Sequence, residues 1–196
     1  LIFDALLALI NTQMNKKTKT RTEKILFAMK ALIWILFIGA CIKTGAIAYS
    51  FFVSLSINPN AAADLYMGLD LSQLLERDSA HYSLMVSSLI VLSAARAFLA
   101  YLVLKIFLTL NLKKPFSTEI AKLIRLISAV AISIGFVNLL VRAYVGWLLG
   151  NSPAVGYLAE YLYGSAEFIF FGIIIFIIGQ VFQYGLELQA ESELTV

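Results

Sequence analysis

The sequence predicts an all-α polytopic membrane protein: four transmembrane helices in one bundle, with the N and C termini both cytoplasmic. Composition is the first ground. Of 196 residues, 61% are hydrophobic and only 14% charged, whereas a soluble domain is about 45–50% apolar and about 25% charged. The second ground is length. Four apolar runs, at about 31–55, 82–104, 123–147 and 157–183, can each cross roughly 30 Å of hydrocarbon as a helix. None alternates with period two, as a barrel strand would. The third is the placement of Lys and Arg. Eleven of the 15 basic residues fall before the first run or around the second connection, one (Arg77) falls elsewhere outside the runs, and three lie inside them. The positive-inside rule therefore puts both ends and the second connection in the cytoplasm.

Residues 1–13 (LIFDALLALINTQ) are too short to span. They read as sequence foreign to the natural protein or as an interfacial leader, since Met14 followed by NKKTKTRTEK resembles a natural start. Residues 14–196 then form one transmembrane domain. The first span follows the basic leader and has no small-residue cleavage site after it, so it is a retained helix. In the connection to the second span, Asn58-Pro59-Asn60 starts a turn. Leu65, Leu69, Leu71, Leu74 and Leu75 interleave with Asp70, Gln73 and Glu76 as in a short amphipathic helix on the outer surface. An acidic cap folded over the bundle is favoured there over a ligand-binding loop. Tyr49, Tyr82, Tyr144, Trp147, Tyr157 and Tyr161 fall near the outer boundary, where amphipathic rings settle.

Soluble-enzyme signatures are missing. There is no G-x-S-x-G, H-E-x-x-H, Walker A or G-x-G-x-x-G. A single cysteine (Cys41) and a single histidine (His81) make no disulfide, zinc site or catalytic triad. The reading is of a protein that is not an enzyme, with no metal and no cofactor. Its basic residues flank spans instead of forming an aromatic-interleaved patch, so direct nucleic-acid binding is not expected.

Every span nevertheless carries polar residues, and an intramembrane charge costs about 2.5–3.5 kcal/mol on insertion scales. Helical spacing gathers Gly39, Lys43, Ala46 and Ser50 on one face of the first span, and Ser93, Arg96 and Ala100 on one face of the second. Ser128, Ala131, Gly135, Asn138 and Arg142 do the same in the third, and Glu160, Gly164 and Glu167 in the fourth. Small and polar stripes are the usual contact faces between helices in lipid. Depth counted at 1.5 Å per residue predicts two tiers of ion pairs, Arg142 with Glu160 and, deeper, Glu167 with Lys43 or Arg96. These six residues, Lys43, Arg96, Asn138, Arg142, Glu160 and Glu167, are the expected buried polar cluster. Ion-pair glue is its favoured role and a site for an ion or anionic headgroup the second. A further small stripe in the fourth span, Ser165, Gly172 and Gly179, permits close helix approach within the chain or in a homo-oligomer.

Two stretches, KKPFSTEIAKLIRLI (113–127) and FGIIIFIIGQVFQYGLELQAESELTV (171–196), carry a resemblance. Together with four spans in this order, the chain resembles the bacterial membrane family called domain of unknown function 2975. Pro115, Phe116 and Ser117 match its Pro-Phe-Thr/Ser segment, although Ile120, Ala121 and Lys122 stand where Asn and Arg are common. Leu188, Gln189, Glu191, Leu194, Thr195 and Val196 match its tail. The resemblance implies a multi-pass protein of the bacterial inner membrane, commonly encoded beside a small helix-turn-helix regulator, and supplies no activity. On the residues themselves, Ser117 suits an N-cap with Glu119 in the first turn. The acidic tail suits folding back onto the basic turn, or docking a soluble partner. The leading functional reading is a sensor or regulatory membrane protein presenting its cytoplasmic turn and tail. The alternatives are a small transporter or channel built on the buried charges, and an immunity or stress protein against membrane-active agents.

Overall fold

A computed structural model describes residues 21–110, 116–149, 158, 162 and 164–194. Four long helices follow the apolar runs: α1 (Arg21–Ser56), α3 (Ser79–Thr109), α4 (Thr118–Leu149) and α5 (Ser165–Leu194). Between α1 and α3 lie a 3-10 turn (Pro59–Ala63) and the short α2 (Ser72–Arg77). All four long helices are apolar and long enough to cross a membrane. The helices start where the sequence offers caps. Asn58 accepts from the Asn60 N–H at 3.0 Å with Pro59 in the first helical position, and Asp78 accepts from the Ala80 and His81 N–H groups at 2.8 and 3.1 Å. Ser117 Oγ accepts from the Ile120 N–H at 3.3 Å, as its sequence context predicted.

The long helices pack in chain order, α1 on α3, α3 on α4 and α4 on α5. Among the described residues α1 and α5 share no comparable interface. Two hydroxyl pairs fasten α1 to α3: Thr44 Oγ1 to Ser93 Oγ at 2.9 Å and Ser54 Oγ to the Tyr82 hydroxyl at 2.6 Å. Tyr82 is therefore a wholly buried strut and not the interfacial ring expected of it. Tyr49 and Trp147 do stay exposed, at 71% and 75%. The large apolar side chains left on the outside, such as Ile35 and Ile42 on α1, Phe136 and Leu140 on α4 and Phe170 and Ile177 on α5, are the surface that lipid would cover.

The first connection folds inward. Ala62, Leu65, Leu69, Leu71 and Leu74 are all buried and join the same core as Ile47, Met85, Leu89 and Val145. The Leu65 N–H donates to the Leu69 carbonyl at 2.9 Å and the Leu71 N–H to the Ala62 carbonyl at 2.8 Å, closing a compact loop. Only Ser72–Arg77 is helical. The expected amphipathic helix is thus mostly a cap, with its leucines in the core and Asp64, Asp70 and Glu76 outside. Alternating leucines and acids satisfied either shape, and burial against α1 and α3 selected the loop.

The α4–α5 pair is the closest contact. A Cβ on Gly135 would stand 2.5 Å from Ile169 Cγ1 and 2.7 Å from the Ser165 carbonyl oxygen, and one on Gly172 would stand 2.6 Å from Ile132 Cγ1. Ser128 Oγ donates to the Gly172 carbonyl at 2.9 Å across the same seam. The stripe Ser165, Gly172, Gly179 therefore packs within the chain against α4. The predicted fourth span needs one correction. It is not continuous from residue 157: Leu162 lies in a turn, Gly164 takes φ +94°, and the helix begins at Ser165. A left-handed residue cannot sit inside an α-helix, and glycine alone takes it without cost.

Replacing Gly135 or Gly172 by Ala should lower the melting temperature of the protein in detergent, by overpacking of about 1–3 kcal/mol. Gly39→Ala, where a Cβ meets nothing within 4 Å, should leave it unchanged or slightly raised. Equal effects at all three positions would contradict the seam.

Candidate functional site: a cationic layer within the bundle

Register across the seam sets the depth of this layer. The Ser165 carbonyl lies against Gly135, fourteen residues before the end of α4 at Leu149, so α5 begins roughly 20 Å along from that end. Asn138, wholly buried, is one turn from Gly135 on the same helix. At this level Arg96 of α3 sets its guanidinium over the Phe168 ring, 5.4 Å from the centroid. Its Nε and Nη2 are buried and have no hydrogen-bond partner. Lys43 of α1 sets its ammonium over the Tyr66 ring at 5.6 Å, and the charge of Arg96 acts on Lys43 as a repelling neighbour. The Thr44–Ser93 hydrogen bond holds α1 and α3 together beside the two cations.

The deep tier of ion pairs does not form. Glu167 is exposed and pairs with neither Lys43 nor Arg96. Its Oε2 instead lies 4.0 Å from the position a Cβ on Gly164 would take. That makes it the first-turn acid of α5, where a carboxylate is favoured by the helix dipole. Arg142 is exposed on α4; its proposed partner Glu160 lies outside the described residues, as do Pro115, Thr195 and residues 1–13. The ion pair among the described residues is local, His81 Nδ1 to Asp78 Oδ2 at 2.8 Å at the start of α3. The physical reason is the break at Gly164. The helix starts only at Ser165, so Glu167 belongs to its first turn and not to a face counted along an unbroken span from residue 157.

So of the expected cluster, the fold brings together Lys43 and Arg96, sets Asn138 on the neighbouring helix, and turns Glu167 outward. Sequence reading missed Tyr66 and Phe168 as the rings under the two cations. Nothing in the spacing of Tyr66 could have shown it, because a cap had to fold down onto α1. The run Gly164-Ser165-Ala166-Glu167 did carry a helix-start signal, glycine followed by a first-turn acid, hidden by unbroken hydropathy around it. A desolvated cation–π contact contributes about 2 kcal/mol, somewhat less than the roughly 2.5–3.5 kcal/mol cost of an intramembrane cation. Phe168 therefore offsets most of the burial of Arg96 and leaves its N–H donors unused.

A second recess lies at the opposite end of the bundle from the basic termini of the spans. A cleft of about 350 Å³ is lined by Leu74, Arg77, Asp78, His81, Trp147 and Leu148. His81 stacks on Tyr144 with centroids 6.2 Å apart, and Tyr144 leans on Trp147 at 6.1 Å. Hydrogen bonds from the His81 N–H and side chain, then from the Ala80 N–H, hold the Asp78 carboxyl below its ordinary value. At the basic end, Phe116 packs on Phe182 at 5.0 Å and closes over Gly185. At that end α5 runs on through Leu188, Gln189 and Glu191 to Leu194, and the turn residues 111–115, onto which the tail is expected to fold, lie outside the described residues.

Four helices long and apolar enough to cross a membrane define a multi-pass membrane protein, and the family it belongs to places it in the bacterial inner membrane. The chain belongs to the family described as "Protein of unknown function (DUF2975)", which it matches over residues 66–196. The match starts at Tyr66, so α1 lies outside it. No curated protein and no solved structure matches the chain.

The capping of α3 should make stability acid-sensitive. A carboxyl whose folded value is depressed contributes fully above its unfolded value of about 3.9 and loses that contribution as pH falls through the folded value. The melting temperature in detergent should therefore fall as the pH drops below about 4. Asp78→Asn should lower it at neutral pH and flatten that acid limb; an unchanged limb would contradict the assignment.

Proposed function

We propose that the protein is a non-enzymatic membrane sensor or regulatory subunit that presents its basic-end turn and its helical tail to a soluble cytoplasmic partner. The observation that carries this reading is the course of α5. One uninterrupted helix of 30 residues starts beside the cationic layer and ends beyond the turn, where Phe116 grips it at Phe182 and Gly185. A displacement at its N-terminus is transmitted along a rigid element to the turn. Beyond the grip, Tyr184 and Leu188 are exposed on one face, at 61% and 47%, beside exposed Glu187 and Glu191. An apolar stripe with acidic neighbours suits a groove with a basic rim, and a helix-turn-helix regulator is the candidate partner.

A small transporter is the second reading, favoured by one observation. A spanning helix that begins inside the bundle next to a buried charge, as α5 does at Ser165, is an arrangement that secondary transporters use around their substrates.

Affinity purification of the full chain from membranes should retain a helix-turn-helix protein, and deletion of residues 187–196 should lose it while the bundle melts normally. Retention after deletion would sink the tail as the docking element. Solute flux in liposomes that Arg96→Gln abolishes would favour the transporter instead.

A further inference from the structure

The geometry points to an anion-binding site inside the bundle, formed by one edge of Arg96 and the N-terminus of α5, that takes a carboxylate- or phosphate-bearing group. Nε and Nη2, the two buried donors without partners, lie on the same edge of the guanidinium with parallel N–H bonds. That pair is the fork which a carboxylate or phosphate accepts in bidentate fashion. Phe168 lies against the guanidinium and orients the group while taking none of its hydrogen bonds.

The second half of the site is the broken helix. The first N–H groups of α5 have no carbonyl of their own helix to bond, and they carry the positive end of its dipole. Gly164, in the capping position, brings no side-chain acceptor to them. Ser165 is 9% exposed and its hydroxyl is buried without a hydrogen-bond partner, one turn before Phe168 on the same helix. Orphaned donors on α3 and an orphaned hydroxyl at the start of α5 thus come from two elements. Glu167, the acid of that first turn, is exposed and makes no ion pair with Arg96. The inference is independent of the regulatory reading, because binding is required of a sensor and of a transporter alike.

The test uses the purified full chain in an uncharged detergent and follows its thermal unfolding at constant ionic strength. Dioctanoyl phosphatidylglycerol and sodium phosphate are titrated separately, with dioctanoylglycerol as the uncharged control. A saturable rise in melting temperature with the lipid alone assigns the site to a headgroup entering from the bilayer. A rise with phosphate assigns it to a soluble anion. Arg96→Gln should weaken binding about ten- to a hundredfold, while Lys24→Gln, at an exposed basic position, should leave it unchanged. Arg96→Lys keeps the charge and loses the fork, so it should fall between wild type and Arg96→Gln, and it keeps the test readable if the Gln variant does not fold. No shift with either anion, an equal shift with dioctanoylglycerol, or unaltered binding by both Arg96 variants would overturn the proposal.

Discussion

The contact between α4 and α5 is the constraint on which the remaining geometry depends. Two glycines, Gly135 and Gly172, let the helix backbones approach to a distance no side chain would permit, and Ser128 ties its hydroxyl to the Gly172 carbonyl. In lipid, helices gain little from hiding apolar surface, since the surroundings are equally apolar; close packing and interhelical hydrogen bonds are what hold them together. That seam fixes how deep α5 begins. The depth in turn puts Phe168 beneath Arg96 and turns Glu167 outward.

Charge burial in this bundle follows from the same register. A membrane interior tolerates a cation when something of opposite polarity faces it. The faces supplied to Lys43 and Arg96 are aromatic: Tyr66 reaches down from the cap, and Phe168 stands one turn into the fourth span. An aromatic ring presents electron density to one side of a guanidinium but accepts few of its hydrogen bonds. A carboxylate would have satisfied charge and donors together and left a dry, inert clasp. At Arg96 the aromatic contact leaves Nε and Nη2 without hydrogen-bond partners.

The two ends of the molecule are built differently. At the end bearing the cap, leucines of the connection between α1 and α3 complete the core, so this end is compact and internally hydrogen-bonded. At the basic end, one aromatic clasp between Phe116 and Phe182 joins the turn to a helix that continues beyond it with apolar residues exposed. One uninterrupted helix, α5, joins the level of Arg96 to the basic end.

Much of this was legible in the residues. Four apolar runs of spanning length determine four helices, because an unpaired backbone cannot cross hydrocarbon in another form short of a closed barrel. The stripe of Ser165, Gly172 and Gly179 marks a close contact, Ser117 marks a helix start, and the inward faces at Ser93, Ser128, Ala131 and Asn138 are indeed buried. Period and local chemistry suffice for such features, since each depends on neighbours within a few turns. The partners of Lys43, Arg96 and Glu167 were settled only by tertiary structure. A depth count along an assumed unbroken helix paired acids with bases. In the fold Glu167 is exposed, Arg96 stands over Phe168 and Lys43 over Tyr66, and no spacing within a single span encodes which residue of another segment arrives at the same depth.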